Sequence, residues 1–221
     1  MAAESRQPYI EVLGMVIGTR PMGEYDRRVV LLTREKGKIS AFAKGARRPN
    51  SQLLASTDLF CFGTFRIYAG RDSYTLVEAS IDNYFPYFRT HFEEALMGQY
   101  FLEVMEYCTR ENNDEAMLLL LTYQSLRALE SEKYGISLVR SIFEIKTVVL
   151  EGEFALPANT DAYHPAAIRA LKHIAASPVS KLYSFTLAED AAKELKNLAA
   201  RYLDHCFGHR FKGAEVLDIL N

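Results

Sequence analysis

The sequence has few cysteines and no long apolar run. Cys61, Cys108 and Cys206 are far apart and odd in number, which argues against a disulfide framework and favours a reducing compartment. No apolar stretch approaches the roughly 20 residues of a membrane-spanning helix. The first eight residues are polar and lack the apolar core of a secretory signal. We therefore expect a cytoplasmic protein without membrane contact.

Catalytic motifs are also missing. Gly37-Lys38 is followed by Ile39 and lacks the upstream glycine of a phosphate-binding loop, so ATP hydrolysis is not expected. The chain has no G-x-S-x-G elbow and no H-E-x-x-H helix. The acidic pairs 93–94 and 189–190 fall in the first turns of predicted helices, where the helix dipole favours carboxylates. The sequence predicts a protein that is not an enzyme and uses no cofactor.

A metal site is not predicted either. His205, Cys206 and His209 are the best local group, but a structural zinc needs about four convergent ligands. Gly208 is expected to end the helix between the two histidines, and the chain has no CxxC pair. We predict that Cys206 packs in the core and that the histidines stand at a helix end.

The charge is distributed unevenly along the chain. The whole sequence has a net charge of -2, but residues 20–48 hold nine basic and three acidic residues, a local net charge of +6. A solvated surface is normally mixed in sign, so this excess points to a polyanionic partner. The basic residues are Arg20, Arg27, Arg28, Arg34, Lys36, Lys38, Lys44, Arg47 and Arg48.

Short strand-like segments fill the first part of the chain. They cover residues 9–18, 27–33, 38–44, 61–69 and 74–80, with turn sequences at 21–23, 35–37 and 70–72. In the third segment Ile39, Ala41 and Ala43 fall on one face, opposite Phe42. Five such strands favour a small barrel, and the five-stranded OB-fold is the leading candidate. An SH3-like barrel fits the periodicity nearly as well.

After about residue 86 the apolar spacing becomes helical. Helices are predicted at 113–129, 136–150 and 165–176, with capping boxes at Thr90 and Thr186 opening two further helices. Gly208 is predicted to end the last of them. The predicted fold class is α+β: an N-terminal five-stranded β-barrel in residues 1–82, followed by an all-helical domain in residues 83–221.

The basic residues suit nucleic-acid binding. Lysine and arginine neutralise phosphates and release counterions, which gives affinity independent of base sequence. Exposed aromatics among them would stack on bases, and Phe42 and Tyr68 are the candidates. Alternatively, Phe42, Phe62 and Tyr68 pack between the barrel and the helices. We expect a flexible loop at Arg47 and Arg48 that follows the phosphate backbone.

Three blocks of sequence resemble the N-terminal signature of the RecO family of recombination mediators. They are Thr19 to Arg27 (TRPMGEYDR), Leu31 to Ile39 (LLTREKGKI) and Ala43 to Arg48 (AKGARR), in the family's order and spacing. The segment FEIK at Phe143 to Lys146 and the stretch 202–212 resemble later family segments. The resemblance implies an OB-fold followed by a helical domain.

The resemblance also implies a function and partners. RecO proteins bind single- and double-stranded DNA, anneal complementary strands and, with RecR, help to load RecA onto DNA coated by single-strand-binding protein. They act in the bacterial cytoplasm on the nucleoid and hydrolyse no nucleotide. They bind the acidic C-terminal tail of single-strand-binding protein through the helical domain. Arg140 stands near a family arginine and is the candidate for that contact.

One feature departs from the family. Many RecO proteins hold a zinc ion with four cysteines, but residues 152–184 contain none here. We expect that stretch to be held by apolar packing of Phe154, Leu156, Tyr163, Ile168 and Leu171. Two alternatives remain open on the sequence: an interaction adaptor whose barrel docks acidic partners, and an OB protein that binds RNA.

Overall fold

A computed structural model describes residues 9–71 and 73–220 of the chain. The first eight residues and Asp72, part of a predicted turn, lie outside the described residues. The described chain divides into two compact units. The barrel unit runs to Pro86 and includes Met105–Leu119, and the helical unit comprises Tyr87–Val104 and the residues from Leu120 onward. The predicted domains, 1–82 and 83–221, stay a prediction.

The five predicted strands are present, and three are longer than the sequence indicated, β2 by a single residue. They are β1 (Tyr9–Met22), β2 (Asp26–Thr33), β3 (Gly37–Ala43), β4 (Phe62–Ala69) and β5 (Tyr74–Asn83). β1 continues through Pro21 and Met22, so the turn predicted there is wrong and lies instead at Gly23 to Tyr25. Between β3 and β4 the chain forms a short helix, α1 (Leu53–Ser56).

The strands close into a barrel in the order β1-β2-β3-β5-β4, and β4 pairs back onto β1. All pairs are antiparallel except the short parallel contact of β3 with β5. A closed five-stranded Greek-key barrel of this kind is the OB-fold, so the predicted fold is confirmed and the SH3-like alternative is excluded.

Alternation along the strands fills the barrel. On β3, Ile39, Ala41 and Ala43 are buried, whereas Phe42 is exposed, as predicted. The barrel core combines these three with larger apolar side chains. Gly63 allows β4 and β5 to approach closely, because a Cβ there would lie 2.1 Å from the Ser80 carbonyl oxygen.

The turn between β2 and β3 is joined to residues 110–112. The backbone N–H of Lys38 donates to the Arg110 carbonyl at 3.0 Å, and that of Asn112 donates to the Lys36 carbonyl at 2.9 Å. Gly37 has a φ of 64° and forms a β-bridge with Glu111. These bonds place residues 105–119 with the barrel.

The later elements are helical. They are α2 (Phe92–Cys108), α3 (Ala116–Glu130), α4 (Ile136–Leu150), α5 (Pro165–Ala176), α6 (Glu189–Phe207) and α7 (Lys212–Leu220), with single 3₁₀ turns at Pro86–Arg89, Thr160–Ala162 and Val179–Lys181. α4 and α5 have their predicted bounds, and Gly208 ends α6 in the left-handed conformation. α7 had no sequence prediction.

Both predicted capping boxes are wrong. The Thr90 hydroxyl donates to the Tyr87 carbonyl, in the 3₁₀ turn before α2, at 3.3 Å. α6 begins one residue after Ala188, which has no side chain to cap it, rather than after Thr186. The S/T-x-x-E pattern identified the start of each helix to within a few residues but not the capping interaction.

Helix α4 organises the helical unit through its FEIK segment. Phe143 stacks on Phe101 with ring centroids 4.1 Å apart. Lys146 is 5% exposed, and its Nζ donates to the carbonyls of Ile174, Ala175 and Ser177 at the end of α5. A lysine there complements the negative end of the helix dipole. Burial lowers the pKa of Lys146, and the three acceptors satisfy its donors.

Candidate nucleic-acid interface

A basic groove lies on the outer face of the barrel unit. It has a volume of 350 Å³ and runs across β1, β2 and β3 beside residues 106–111. Four of its lining residues are basic and two are acidic, so the groove has an excess of positive charge. The charged residues are Arg20, Arg28, Lys38, Arg110, Glu106 and Glu111.

The lysine of the groove is the most enclosed of its cations. The Lys38 Nζ donates to the Glu106 carbonyl, and its side chain is half-buried. Desolvation by burial, with Arg110 nearby, lowers the pKa of Lys38. Arg20, Arg28 and Arg110 are exposed and present their charge to solvent. The arginines are therefore the groups best placed to contact a phosphate.

Cross-strand register aligns these arginines with exposed aromatic residues. Arg20 pairs with Arg28, and Arg28 pairs with Phe42. The row continues through Thr75 to Tyr68 and then to Tyr9. Residues paired across neighbouring strands share a face of the sheet. We call this row the outer band: Arg20, Arg28, Phe42, Thr75, Tyr68 and Tyr9.

The aromatic residues of the outer band are exposed. Phe42, Tyr68 and Tyr9 are 37%, 40% and 41% exposed. The rings of Tyr9 and Tyr68 meet edge to face with centroids 5.5 Å apart, and the Arg66 guanidinium lies 5.0 Å from the Tyr9 ring. Aromatic faces beside cations are the combination that single-stranded nucleic acid requires.

A second basic group surrounds the hairpin between β1 and β2. The Arg47 N–H donates to the Tyr25 carbonyl at 2.8 Å, and its side chain donates to the Gly23 carbonyl at 3.2 Å. The Arg48 guanidinium lies over the Tyr25 ring, 5.3 Å from its centroid. These contacts bond the segment to the hairpin in this structure, and its flexibility on the DNA backbone stays a prediction. We call residues 22–25 and 44–48 the tip.

Arg27 differs from its neighbours because its guanidinium is bonded to other residues of the barrel unit. Its guanidinium forms an ion pair with Asp58 at 2.7 Å and donates to Thr57 Oγ1 and the Leu54 carbonyl. The side chain is 19% exposed. It holds α1 against β2, so Arg27 serves the fold in this structure.

The two remaining cations stand at the opposite end of β2. Arg34 pairs with Glu35 at 2.7 Å, and Lys36 lies in the same turn. Six residues of strand separate Arg34 from Arg28, which corresponds to about 20 Å. The nine predicted residues therefore do not form one patch: Arg20, Arg28, Lys38, Lys44, Arg47 and Arg48 lie toward the groove and tip, and Arg34 and Lys36 do not.

Comparison with known proteins gives one consistent family. Residues 9–85 match the family model described as Recombination protein O N terminal. A DNA repair protein RecO from Acetivibrio thermocellus is 28% identical over 88% of this chain and 90% of its own length. RecO of Clostridium perfringens is 23% identical over 96% and 98% of the two chains. RecO of Alkaliphilus metalliredigens is 32% identical over 65% and 58%.

The chain is similar to the RecO family of DNA repair proteins. The resemblance found in the sequence is thereby confirmed, because the barrel matches the family's N-terminal model and the similarity to RecO proteins extends over most of the chain. The first signature block, residues 19–27, ends β1 and builds the hairpin, and the third, 43–48, builds the loop bonded to it. The Asp26 carboxylate accepts from the Gly45 N–H at 2.7 Å and links the two blocks.

Arg140, the residue predicted for partner binding, is buried in the helical unit. It is 6% exposed, and its Nε donates to Glu144 Oε1 at 2.8 Å. Its guanidinium lies 5.1 Å from the centroid of the Tyr100 ring, whose hydroxyl donates to the same carboxylate at 2.6 Å. The contact of Arg140 with a protein tail stays a prediction.

The residues present do not fit the four-cysteine zinc site that the resemblance brought into question. Across the described parts of the chain, no group of three or more His, Cys, Asp or Glu is placed to hold a metal. Ile168 and Leu171 are buried as expected, and Phe154 packs on Tyr202 with centroids 5.3 Å apart. Leu156 is 45% exposed, so its predicted packing role is wrong.

Sequence reasoning missed two members of this surface. Arg110 lies far from the basic segment along the chain and reaches the groove only through the bonds between residues 36–38 and 110–112. Tyr9 joins the outer band only through its register with Tyr68.

None of the helices in the described part of the chain has both the length and the apolar character of a membrane span.

Proposed function

We propose that this protein binds single- and double-stranded DNA and anneals complementary strands as a mediator of recombinational repair. The observation that carries the proposal is the alignment of Arg20, Arg28 and Phe42 across three neighbouring strands beside the basic groove. Similarity to the RecO family supports DNA as the polyanion. The protein acts without catalysis, on nucleoid DNA in the bacterial cytoplasm.

The mechanism is charge screening with base stacking. Arg20, Arg28 and Arg110 contact phosphates, which lowers the repulsion between two strands held on the same surface. Phe42 and Tyr68 stack on bases and keep a single strand extended and available for pairing. Neither contact reads base sequence, which suits a protein that must act on any DNA.

The proposal extends to partners. The protein works with RecR to load RecA onto DNA coated by single-strand-binding protein, and its helical unit binds the tail of the latter. Arg140 is the proposed residue for that tail. The support for these partners is the chain's similarity to the family, together with a helical unit that the basic segment does not enter.

The test is charge reversal on the outer band. We expect Arg20→Glu with Arg28→Glu to weaken binding to single-stranded DNA by about tenfold or more, because two phosphate contacts become repulsive. The slope of log affinity against log salt should become shallower by about 1.4. Fluorescence anisotropy of a labelled oligonucleotide, measured at rising salt, gives both quantities.

The matched control is Arg169→Glu, at an exposed arginine on α5 in the helical unit. It should leave affinity and salt slope close to those of the wild-type protein. A flat salt response of the wild-type protein, or unchanged affinity of the double variant, would contradict the proposal. The same variants tested against RecR separate loss of DNA binding from loss of partner binding.

A further inference from the structure

The tip presents apolar groups surrounded by cations. Met22 and Tyr25 are 42% and 43% exposed at the end of the β1–β2 hairpin. Lys44, Arg47 and Arg48 are exposed beside them. A hairpin end with no ligand to bind is normally polar, so two large apolar side chains among three cations need an explanation.

The tip is held in place before any ligand binds. The Asp26 carboxylate accepts a hydrogen bond from the Gly45 N–H, and the Tyr25 carbonyl accepts one from the Arg47 N–H. The Arg48 guanidinium covers one face of the Tyr25 ring. Less conformational entropy is then lost when the side chains contact a ligand.

The arrangement of apolar and basic side chains at the tip differs from that of the outer band. The band is a row with two cations at one end and three rings farther along it, which suits an extended strand. The tip has two exposed apolar side chains, Met22 and Tyr25, three positions apart on one hairpin, and the exposed cations Lys44, Arg47 and Arg48 in the loop bonded to that hairpin. A terminal base pair has the complementary arrangement, because it offers one flat apolar face with a phosphate backbone on each side.

We propose that the tip stacks on the last base pair of a duplex at a junction between double- and single-stranded DNA. Tyr25 and Met22 cover the base pair, while Lys44 and Arg47 contact the flanking phosphates. The single strand that leaves the junction continues along the outer band from Arg20. This inference rests on the proposed DNA binding and adds a preferred substrate to it.

The test compares two probes with the wild-type protein and Tyr25→Ala. One probe is a duplex with a single-stranded tail and 2-aminopurine in the last base pair; the other is a single strand of the same length as the tail. We expect Tyr25→Ala to bind the junction about tenfold more weakly, the cost of one lost stacking contact. Its binding to the single strand should change less than twofold. Stacking should also quench the 2-aminopurine fluorescence with the wild-type protein but not with Tyr25→Ala.

Two further variants give the controls. Tyr25→Phe keeps the ring and should bind the junction as the wild-type protein does. Tyr84→Ala removes a tyrosine of similar exposure, 42%, just after β5 and should leave both affinities unchanged. Thermal melting of each variant confirms that it is folded.

The outcomes separate this inference from the proposed function. Equal affinity of the wild-type protein for both probes would overturn the junction preference and leave DNA binding intact. Equal loss on both probes would make Tyr25 a general DNA contact and overturn the inference too. Unchanged junction binding with loss of binding to a partner protein would assign the tip to protein recognition. Failure of the wild-type protein to bind either probe would overturn the proposed function itself.

Discussion

Neighbouring residues of the same type have different roles on β2. Arg27 points toward α1 and pairs with Asp58, whereas Arg28 lies on the outer band and donates to Ser40 Oγ at 2.7 Å. Because side chains alternate along a strand, a run of cations is divided between two faces. A single DNA strand on one face of the barrel can therefore contact only some of the basic residues that give the segment its net charge. Arg28, with Arg20 and Arg110, belongs to the surface that is available.

A buried tyrosine makes the stability of the helical unit depend on pH. Desolvation by burial, reinforced by the Glu144 carboxylate, raises the pKa of the Tyr100 phenol far above its ordinary value of 10. A raised pKa in the folded state gives stability that is fully present below pH 10 and is lost as the pH rises further. Each such tyrosine lowers the free energy of unfolding by about 1.4 kcal/mol per pH unit there.

Tyr100→Phe tests this assignment. At neutral pH the variant should be less stable by about 1–2 kcal/mol, because the hydroxyl no longer donates to Glu144. Above pH 10 the difference from the wild-type protein should shrink, since phenylalanine has no proton to lose. Urea unfolding at a series of pH values measures it. A difference that stays constant between neutral and alkaline pH would show that Tyr100 is not the titrating group.

Among the elements, the two tight turns of the barrel depend on glycine for different reasons. Gly23 and Gly37 both have positive φ, 58° and 64°. A Cβ at Gly23 would meet nothing within 4 Å, whereas one at Gly37 would lie 2.2 Å from the Arg110 carbonyl oxygen. The first turn therefore requires only the left-handed backbone conformation. The second requires that conformation and also the absence of a side chain at Gly37.

This contrast gives a matched pair of variants. Gly23→Ala should lower the free energy of unfolding by about 1 kcal/mol, the cost of a left-handed alanine. Gly37→Ala should cost about 3 kcal/mol or more, because the bonds to residues 110–112 must also move. Chemical denaturation compares the two. Equal losses would mean that residues 110–112 are not joined to the turn as the structure has them.

Sequence patterns predicted the elements well where the pattern was local. Strict alternation identified β3, and the glycine after α6 fixed its end. The extension of β1 through Pro21 was missed because proline usually marks a turn, while here it lies at the hairpin end of a strand. Both threonine caps were inferred from spacing alone, and spacing does not say which residue begins the helix.

The candidate site was only partly predictable for a related reason. Charge along the sequence located Arg20 to Arg48, and alternation exposed Phe42. Arg110 and Tyr9 join the surface through strand register and a β-bridge, which are contacts between residues distant in sequence. The FEIK segment, Phe143 to Lys146, shows that charged residues also occur where there is no binding surface. Its charged residues form buried structural contacts in the helical unit, so charge alone does not indicate a binding surface.

At the scale of the whole molecule, positive and negative charges are distributed unevenly along the chain. Residues 20–48 have a net charge of +6 in a protein of net charge -2, so the remaining residues together have a net charge of -8. In the proposed function, residues 20–48 themselves attract the phosphates of DNA. The protein partners are proposed to bind the helical unit, which residues 20–48 do not enter.

Annealing of complementary oligonucleotides coated by single-strand-binding protein tests the central claim most directly. The rate of duplex formation should rise with the wild-type protein and with Arg169→Glu. Arg20→Glu with Arg28→Glu should lose the acceleration, because the outer band no longer holds two strands together. If the double variant accelerates annealing as the wild-type protein does, or if the wild-type protein has no effect, the barrel face is not an annealing surface.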